Sequence, residues 1–241
     1  MLIRSLLISA LTFAAALVGT VSGFGISSIM IPVLSLYYPL PAVLLFVGLI
    51  HLSGDVWKMV LFRQGVDWRL ILVFGIPGIL FSYAGATVTL SVPTELLERL
   101  LGVFLLSYVA YLFLRSRWKV PRTDLTSAAG GSLSGLFAGL FGVGGAVRSA
   151  FLAAYDLPKE TYIFVSGAIA LFIDITRIVR YLTGGMGLPE DLSLLLLVLV
   201  PLSLLGAYVA KRIVTRVPQK YFRMVIAALL GVMGVKFLLG L

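Results

Sequence analysis

Residues 19–28 read Gly19-Thr20-Val21-Ser22-Gly23-Phe24-Gly25-Ile26-Ser27-Ser28, and residues 139–149 read Gly139-Leu140-Phe141-Gly142-Val143-Gly144-Gly145-Ala146-Val147-Arg148-Ser149. Each stretch interrupts a long apolar run, and the two correspond. Gly23-Phe24-Gly25 matches Gly142-Val143-Gly144, and the same offset matches Gly48 to Gly167 and Asp55-Val56-Trp57-Lys58 to Asp174-Ile175-Thr176-Arg177. Leu40-Pro41 matches Leu157-Pro158 with a slip of two, and Pro77/Pro201 and Val92-Pro93/Val217-Pro218 follow in the same order. The chain therefore reads as two related halves, residues 1–115 and 126–241, joined by a cytoplasmic linker at 116–125. Duplicated membrane chains are typical of transporters, with the working site where the halves meet.

Composition fixes the solvent. The 241 residues are 60% hydrophobic and 12% charged, and mean hydropathy is +1.10. Soluble domains carry roughly 25% charged residues, so this chain cannot cover a water-facing surface. Cysteine is absent and His51 is the one histidine. That excludes disulfides, thiolate chemistry and multi-histidine metal sites. The net charge of +9 lies at the ends of the apolar runs, which is the pattern of membrane orientation and argues against nucleic acid as a partner. Arg4 followed by an apolar stretch also has the look of a signal peptide, but that stretch runs straight into the repeated motif.

Lipid offers the backbone no hydrogen bonds, so the apolar runs at about 2–38, 42–62, 69–90, 95–114, 127–155, 160–182, 191–213 and 219–240 are expected to be helices. The fold class is all-α: a polytopic membrane protein of two repeats, each of about four helical segments. Four simple spans per half would place Lys58, Arg63 and Arg69 on the opposite face from Lys211, Arg212, Arg216 and Lys220. Suppose instead that the first run of each half is re-entrant, breaking at Gly19–Gly25 and Gly139–Gly145. Each half then crosses three times and the halves are inverted. Arg63, Arg69, Arg115, Arg117, Lys119, Arg122, Lys211, Arg212, Arg216 and Lys220 then fall inside, and Arg4, Arg99, Arg180 and Lys236 outside, in accord with the positive-inside bias.

The breaks are the first candidate site. A helix that starts in mid-membrane points free N–H groups at whatever fills the break, and those groups attract anions. Gly23, Gly25, Ser27 and Ser28, with Gly142, Gly144, Gly145, Arg148 and Ser149, form an expected anion cradle. Glycines there would also allow close helix packing. Arg148, inside an apolar run, needs water or a partner, and its forked donors suit an anion. Asp55 with Lys58, and Asp174 with Arg177, stand three residues apart on a helix face and can pair. They are candidates for gating or for joining the halves. His51, one turn before Asp55, adds a candidate proton relay.

These features resemble the TauE/SafE sulfite exporter family: two halves, each opening with a G-x-G motif in a small-residue-rich helix and followed by a Leu-Pro turn, over nearly the whole chain. That family carries a G-x-G-G-G type stretch followed by proline. Here the copies are Gly23-Phe24-Gly25-Ile26-Ser27 with Pro32, and Gly142-Val143-Gly144-Gly145-Ala146. The resemblance implies export of a small sulfur-containing anion such as sulfite or an organosulfur acid across the plasma membrane, with no enzymatic activity and no cofactor. Proton and sodium are the expected coupling ions, and a homodimer is an expected assembly. Two other readings are an anion channel and an intramembrane serine hydrolase using Ser22 and His51. The duplicated features are not a nucleophile and a base, which argues against the hydrolase.

Overall fold

The computed structural model describes residues 2–22, 25–63, 65–114, 119–213 and 219–240. They form helices α1 (Leu2–Ser22), α2 (Ser27–Leu34), α3 (Leu40–Leu61), α4 (Trp68–Ser91), α5 (Thr94–Leu114), α6 (Asp124–Phe141), α7 (Gly144–Ala154), α8 (Lys159–Thr183), α9 (Glu190–Ile213) and α10 (Gln219–Leu239), with no strand among the described residues. Helix starts follow the local chemistry. Pro39 and Pro158 precede α3 and α8 in nearly the same extended conformation. Asp67 caps α4 by accepting from Leu70 N–H at 3.0 Å, and Thr123 and Thr126 form a reciprocal capping box at α6. Helices α3, α4, α5, α8 and α9 are long and apolar enough to cross a membrane. On α4 the outward face carries Leu72, Ile76 and Leu80, each more than half exposed, while Gly75, Gly78 and Ser82 are buried on the other. An apolar outer stripe over a small-residue inner one is what a lipid solvent selects.

Two of the apolar runs are interrupted, where α1 gives way to α2 and α6 to α7. The chain turns back at Gly25, whose φ is +82°, and at Gly142, whose φ is +69°, a conformation that side chains with a Cβ rarely adopt. The left-handed glycine of the first half is thus Gly25, two residues beyond the sequence match of Gly142 to Gly23. Gly23 itself lies outside the described residues. After Gly142, α7 runs back along α6. Ser134 Oγ donates to Gly144 O at 2.9 Å, Phe151 packs over Gly130, and Tyr155 O–H reaches Thr126 Oγ1 at 3.4 Å near the start of α6. In the first half, Gly25 N–H donates to Gly19 O at 3.4 Å. At the other end of that fold-back, the Arg4 guanidinium lies 5.8 Å from the Tyr38 ring centre. Each first run is therefore a hairpin whose two ends lie at the same level.

Contacts across the halves orient the rest. Gly48 packs against Arg177 and Ile178, and Gly167 against Asp55 and Lys58, so α3 and α8 run antiparallel through the centre. Helix α6 lies along α4 in parallel. Virtual Cβ atoms on Gly131, Gly135 and Gly139 would sit 2.0, 2.0 and 2.3 Å from the carbonyl oxygens of Phe74, Gly78 and Ser82. The packing of α4 on α6 is echoed by that of α9 on α1, where Gly206 meets Phe13 and Ala16, and α5 lies antiparallel to α10 through Gly102 and Gly234. At one end, Arg69 pairs with Asp124 and Arg122 with Asp67, and Lys211 Nζ donates to Leu61 O at 2.8 Å. At the other end, Tyr38 O–H donates to Asp191 at 3.0 Å and Arg180 Nε to Thr87 Oγ1 at 2.9 Å. The mouth of the α6–α7 hairpin lies at the first end and that of the α1–α2 hairpin at the second. Arg115, Arg117, Arg216 and the Val217-Pro218 pair lie outside the described residues.

Candidate functional site

Helices α3 and α8 carry charge where they cross. Asp55, Lys58, Asp174 and Arg177 are at most 3% exposed, as is His51. The i,i+3 spacing does what the sequence suggests. Lys58 Nζ donates to Asp55 Oδ1 at 2.8 Å, and Arg177 Nε to Asp174 Oδ1 at 2.7 Å. His51 joins the two pairs: its Nδ1 stands 2.5 Å from Asp174 Oδ2 and 3.0 Å from Asp55 Oδ2. Arg177 Nη1 also donates to Leu44 O at 3.4 Å on α3. A buried ion pair seldom adds net stability. Each pair lies within one helix, and the contacts that cross between α3 and α8 are those of His51 with Asp174 and of Arg177 with Leu44 O.

Both hairpin tips end on this cluster. A Cβ on Gly25 would lie 2.2 Å from His51 Nε2, so the first tip rests directly on the imidazole edge. A Cβ on Gly142 would lie 3.2 Å from Arg177 Nη1 and 2.4 Å from Ile31 Cδ1 of α2. Helix α2 thus meets the second tip through Ile31, and a continuous line of contacts runs Gly25, His51, Asp174, Arg177, Gly142. The second tip is further braced from α4 and α8. Thr89 Oγ1 and Tyr181 O–H donate to Gly139 O at 2.9 and 2.5 Å, satisfying a carbonyl that the end of α6 leaves free.

The remaining expected site residues divide. Ser27 and Ser28 are buried in the first turn of α2, as are Gly144 and Gly145 in that of α7. Gly144 also packs on Ser134 and Ala138, so it serves the hairpin's close contact. Ser149 Oγ donates back to Ala146 O at 2.9 Å. Arg148 is 1% exposed and its Nε donates to Ser166 Oγ at 3.0 Å. Ser166 precedes Asp174 by about 12 Å of helix axis, so Arg148 occupies a separate layer from the central cluster. Its Nη2 is buried without a hydrogen-bond partner among the described residues, as are His51 Nε2 and Arg177 Nη2. Gly23 and the Ser22 side chain fall outside the described residues.

Sequence reading missed Tyr181 and Ser166. Tyr181 follows Arg177 by one turn and was readable as a continuation of the Asp174–Arg177 face, whereas nothing in the sequence marks Ser166. The reading also missed the Gly131-Gly135-Gly139 ladder, whose G-x-x-x-G spacing was the available signal. Ligand atoms of His51, Asp55 and Asp174 lie within 4.8 Å of one another, a spacing that could hold a cation. Lys58 and Arg177 already neutralise both carboxylates there, which opposes a further positive charge.

The family described as sulfite exporter TauE/SafE matches residues 8–237. A protein described as a probable membrane transporter from Methanocaldococcus jannaschii is 25% identical over 252 residues, covering 94% of this chain and 92% of the relative. No solved structure matches the chain.

Proposed function

The chain belongs to the sulfite exporter TauE/SafE family, and from that premise we propose that this multi-pass membrane protein is a secondary transporter of a small anion, with sulfite or an organosulfur acid as substrate. Its place is the plasma membrane, with the linker and the Arg63, Arg69, Arg122, Lys211 and Arg212 end facing the cytoplasm. The observation that carries the reading is the convergence of both glycine-turned hairpin tips on one buried charge cluster between the halves. Helix starts set beside buried cationic side chains in mid-membrane suit an anion.

The repeats are inverted in this reading. Two lines of support are the antiparallel crossing of α3 with its counterpart α8 and the hairpin mouths at opposite ends. Residues 1–115 and 126–241 would then exchange roles as the site opens first to one face and then to the other. The Asp55–Lys58 and Asp174–Arg177 pairs hold the moving halves in register. Arg148, Ser149 and the first turn of α7 give the anion a second, more cytoplasmic foothold. No nucleotide-binding motif is present in the sequence, so an ion gradient, of protons or sodium, drives transport. The family is one of transporters, which argues against an enzyme.

Binding to purified protein tests the site. Sulfite or a small sulfonate is expected to bind saturably, and Arg148→Ala to weaken binding about tenfold, the usual worth of a charged hydrogen bond. Unchanged affinity in the variant would remove Arg148 from the anion's route.

A further inference from the structure

Resting on the transporter reading, we propose that the first hairpin tip is a proton-released latch: Gly25 seats on the neutral ring of His51, and a second proton, on Nε2, unseats it.

A Cβ built on Gly25 would lie 2.2 Å from His51 Nε2 and 3.1 and 3.2 Å from the ring carbons on either side of it, Cδ2 and Cε1. Those three distances together belong to a point on the outward axis of Nε2, where the nitrogen's lone pair or its hydrogen must lie. In glycine a Cα hydrogen takes that direction. The tip therefore caps Nε2 with a C–H group, which can touch a bare lone pair as a weak donor but cannot accept from an N–H. Nε2 accordingly has no conventional hydrogen-bond partner among the described residues. His51 is 2% exposed and Gly25 is buried, so the seat is closed to solvent. Only glycine meets both demands of this seat, a φ of +82° and no Cβ.

The other ring nitrogen sets the state of the ring. Nδ1 stands 2.5 Å from Asp174 Oδ2 and 3.0 Å from Asp55 Oδ2. Both carboxylates are paired with a cation, Asp55 with Lys58 and Asp174 with Arg177. They are ionised and only accept, so Nδ1 carries the ring hydrogen. The seated state is thus a bare Nε2 under the C–H cap. A second proton there would set a charged donor against carbon, a buried donor without an acceptor. Once the tip lifts, the same N–H meets water. The released tip therefore binds one proton more than the seated tip, and by linkage acid favours release. The proton passes from water to the Nε2 lone pair, and no other bond changes. The charged groups around the ring are Asp55 and Lys58 on α3 and Asp174 and Arg177 on α8, whose charges cancel. Helix α2 carries no titratable residue and α1 only Arg4, at its far end. Helix α9 meets this part of α3 through Ser203, 3.2 Å from Ser53 Oγ, and α5 carries beyond Arg99 only the phenols of Tyr108 and Tyr111. His51 is therefore the group at the tip that titrates between about pH 5 and 8. Ala170 stands on α8 where His51 stands on α3, and the second tip is braced by neutral hydroxyls, Thr89 and Tyr181 on Gly139 O. The latch belongs to the first hairpin alone.

His51 is the only histidine and cysteine is absent, so ring and tip can each be read singly in the full-length purified protein. Nitrogen-15 NMR of histidine-labelled protein reports which ring nitrogen carries hydrogen. Ser27, two residues beyond Gly25 and 1% exposed, reports the tip. Ser27→Cys is reacted with a water-soluble methanethiosulfonate, and its rate is divided by that of the exposed Tyr37→Cys at the same pH. The expected result is hydrogen on Nδ1 alone at high pH, where the thiol is protected. Labelling is expected to rise as pH falls from about 8 to 5, by up to about tenfold per unit for one linked proton. Added to Ser27→Cys, His51→Gln is expected to make labelling independent of pH, and Gly25→Ala to make it fast even at high pH. Labelling of Ser27→Cys that does not change with pH overturns the latch. So does a pH dependence that survives His51→Gln, or hydrogen on Nε2 in the protected state. Saturable sulfite binding by the wild-type protein is measured alongside, and its absence overturns the transporter reading whichever way the latch experiment falls.

Discussion

His51 Nδ1 stands 2.5 Å from Asp174 Oδ2 across the line where α3 and α8 cross. The two residues belong to different halves of the chain, and His51 Nδ1, which also stands 3.0 Å from Asp55 Oδ2, is the atom that links one half's charge pair to the other's. Removing Asp174 takes from buried Arg177 its carboxylate partner and from His51 the nearer of its two. Asp174→Ala is expected to cost about 3–5 kcal/mol, read as a lowered unfolding temperature in detergent. The isosteric Asp174→Asn should cost less, since it retains an acceptor for Arg177. Equal unfolding temperatures for wild type and Asp174→Ala would show that the cluster is not what joins α3 to α8.

The α4–α6 contact depends on the absence of side chains at three positions. A Cβ at Gly135 would lie 2.0 Å from Gly78 O, so Gly135→Ala must push the helices apart. A loss of about 1–3 kcal/mol is expected. Gly75 on α4 meets nothing within 4 Å, and Gly75→Ala should be neutral or should stabilise by up to about 1 kcal/mol. Thermal unfolding of the two variants side by side separates close packing from a general intolerance of alanine in α4 and α6.

Gly142 carries two constraints, a φ of +69° and the approach of Ile31 from the other hairpin. Gly142→Ala is expected to add about 1–2 kcal/mol of backbone strain and to displace the tip from Arg177. Transport should fall while the protein remains folded and membrane-inserted. Wild-type flux in this variant would mean that the tip does not shape the route.

The absence of cysteine makes single-cysteine labelling clean. Tyr37 and Lys159 are exposed and occupy the segments just after the first and second hairpins. Inverted repeats predict that Tyr37→Cys reacts with an impermeant maleimide from outside the cell and Lys159→Cys only after permeabilisation. Labelling of both from the same face would require parallel repeats.

Much of the architecture was legible because lipid simplifies the rules. Apolar runs had to be helices, proline marked the starts of α3 and α8, and matched glycines marked both hairpin tips. The pairs Asp55–Lys58 and Asp174–Arg177 were legible for the same reason, since their partners lie on one helix at a fixed spacing. The union of the two pairs through His51 was not. It depends on the antiparallel register of α3 against α8, which is set by Gly48 beneath Arg177 and Gly167 beneath Lys58, and no local pattern encodes that register. Arg148 illustrates the same limit. Its place beside the second break in sequence suggested a place at the centre, but α7 runs away from the tip and carries Arg148 to Ser166.

Counterflow most directly tests the claim that the hairpin tips and charge cluster form an alternating-access anion site. Proteoliposomes are loaded with unlabelled sulfite and diluted into a trace of labelled sulfite. A carrier with one site exposed alternately must show transient accumulation of label above the outside concentration, and that overshoot should be reduced in Arg177→Lys. Simple equilibration of the label without overshoot would contradict the account and place the protein among channels.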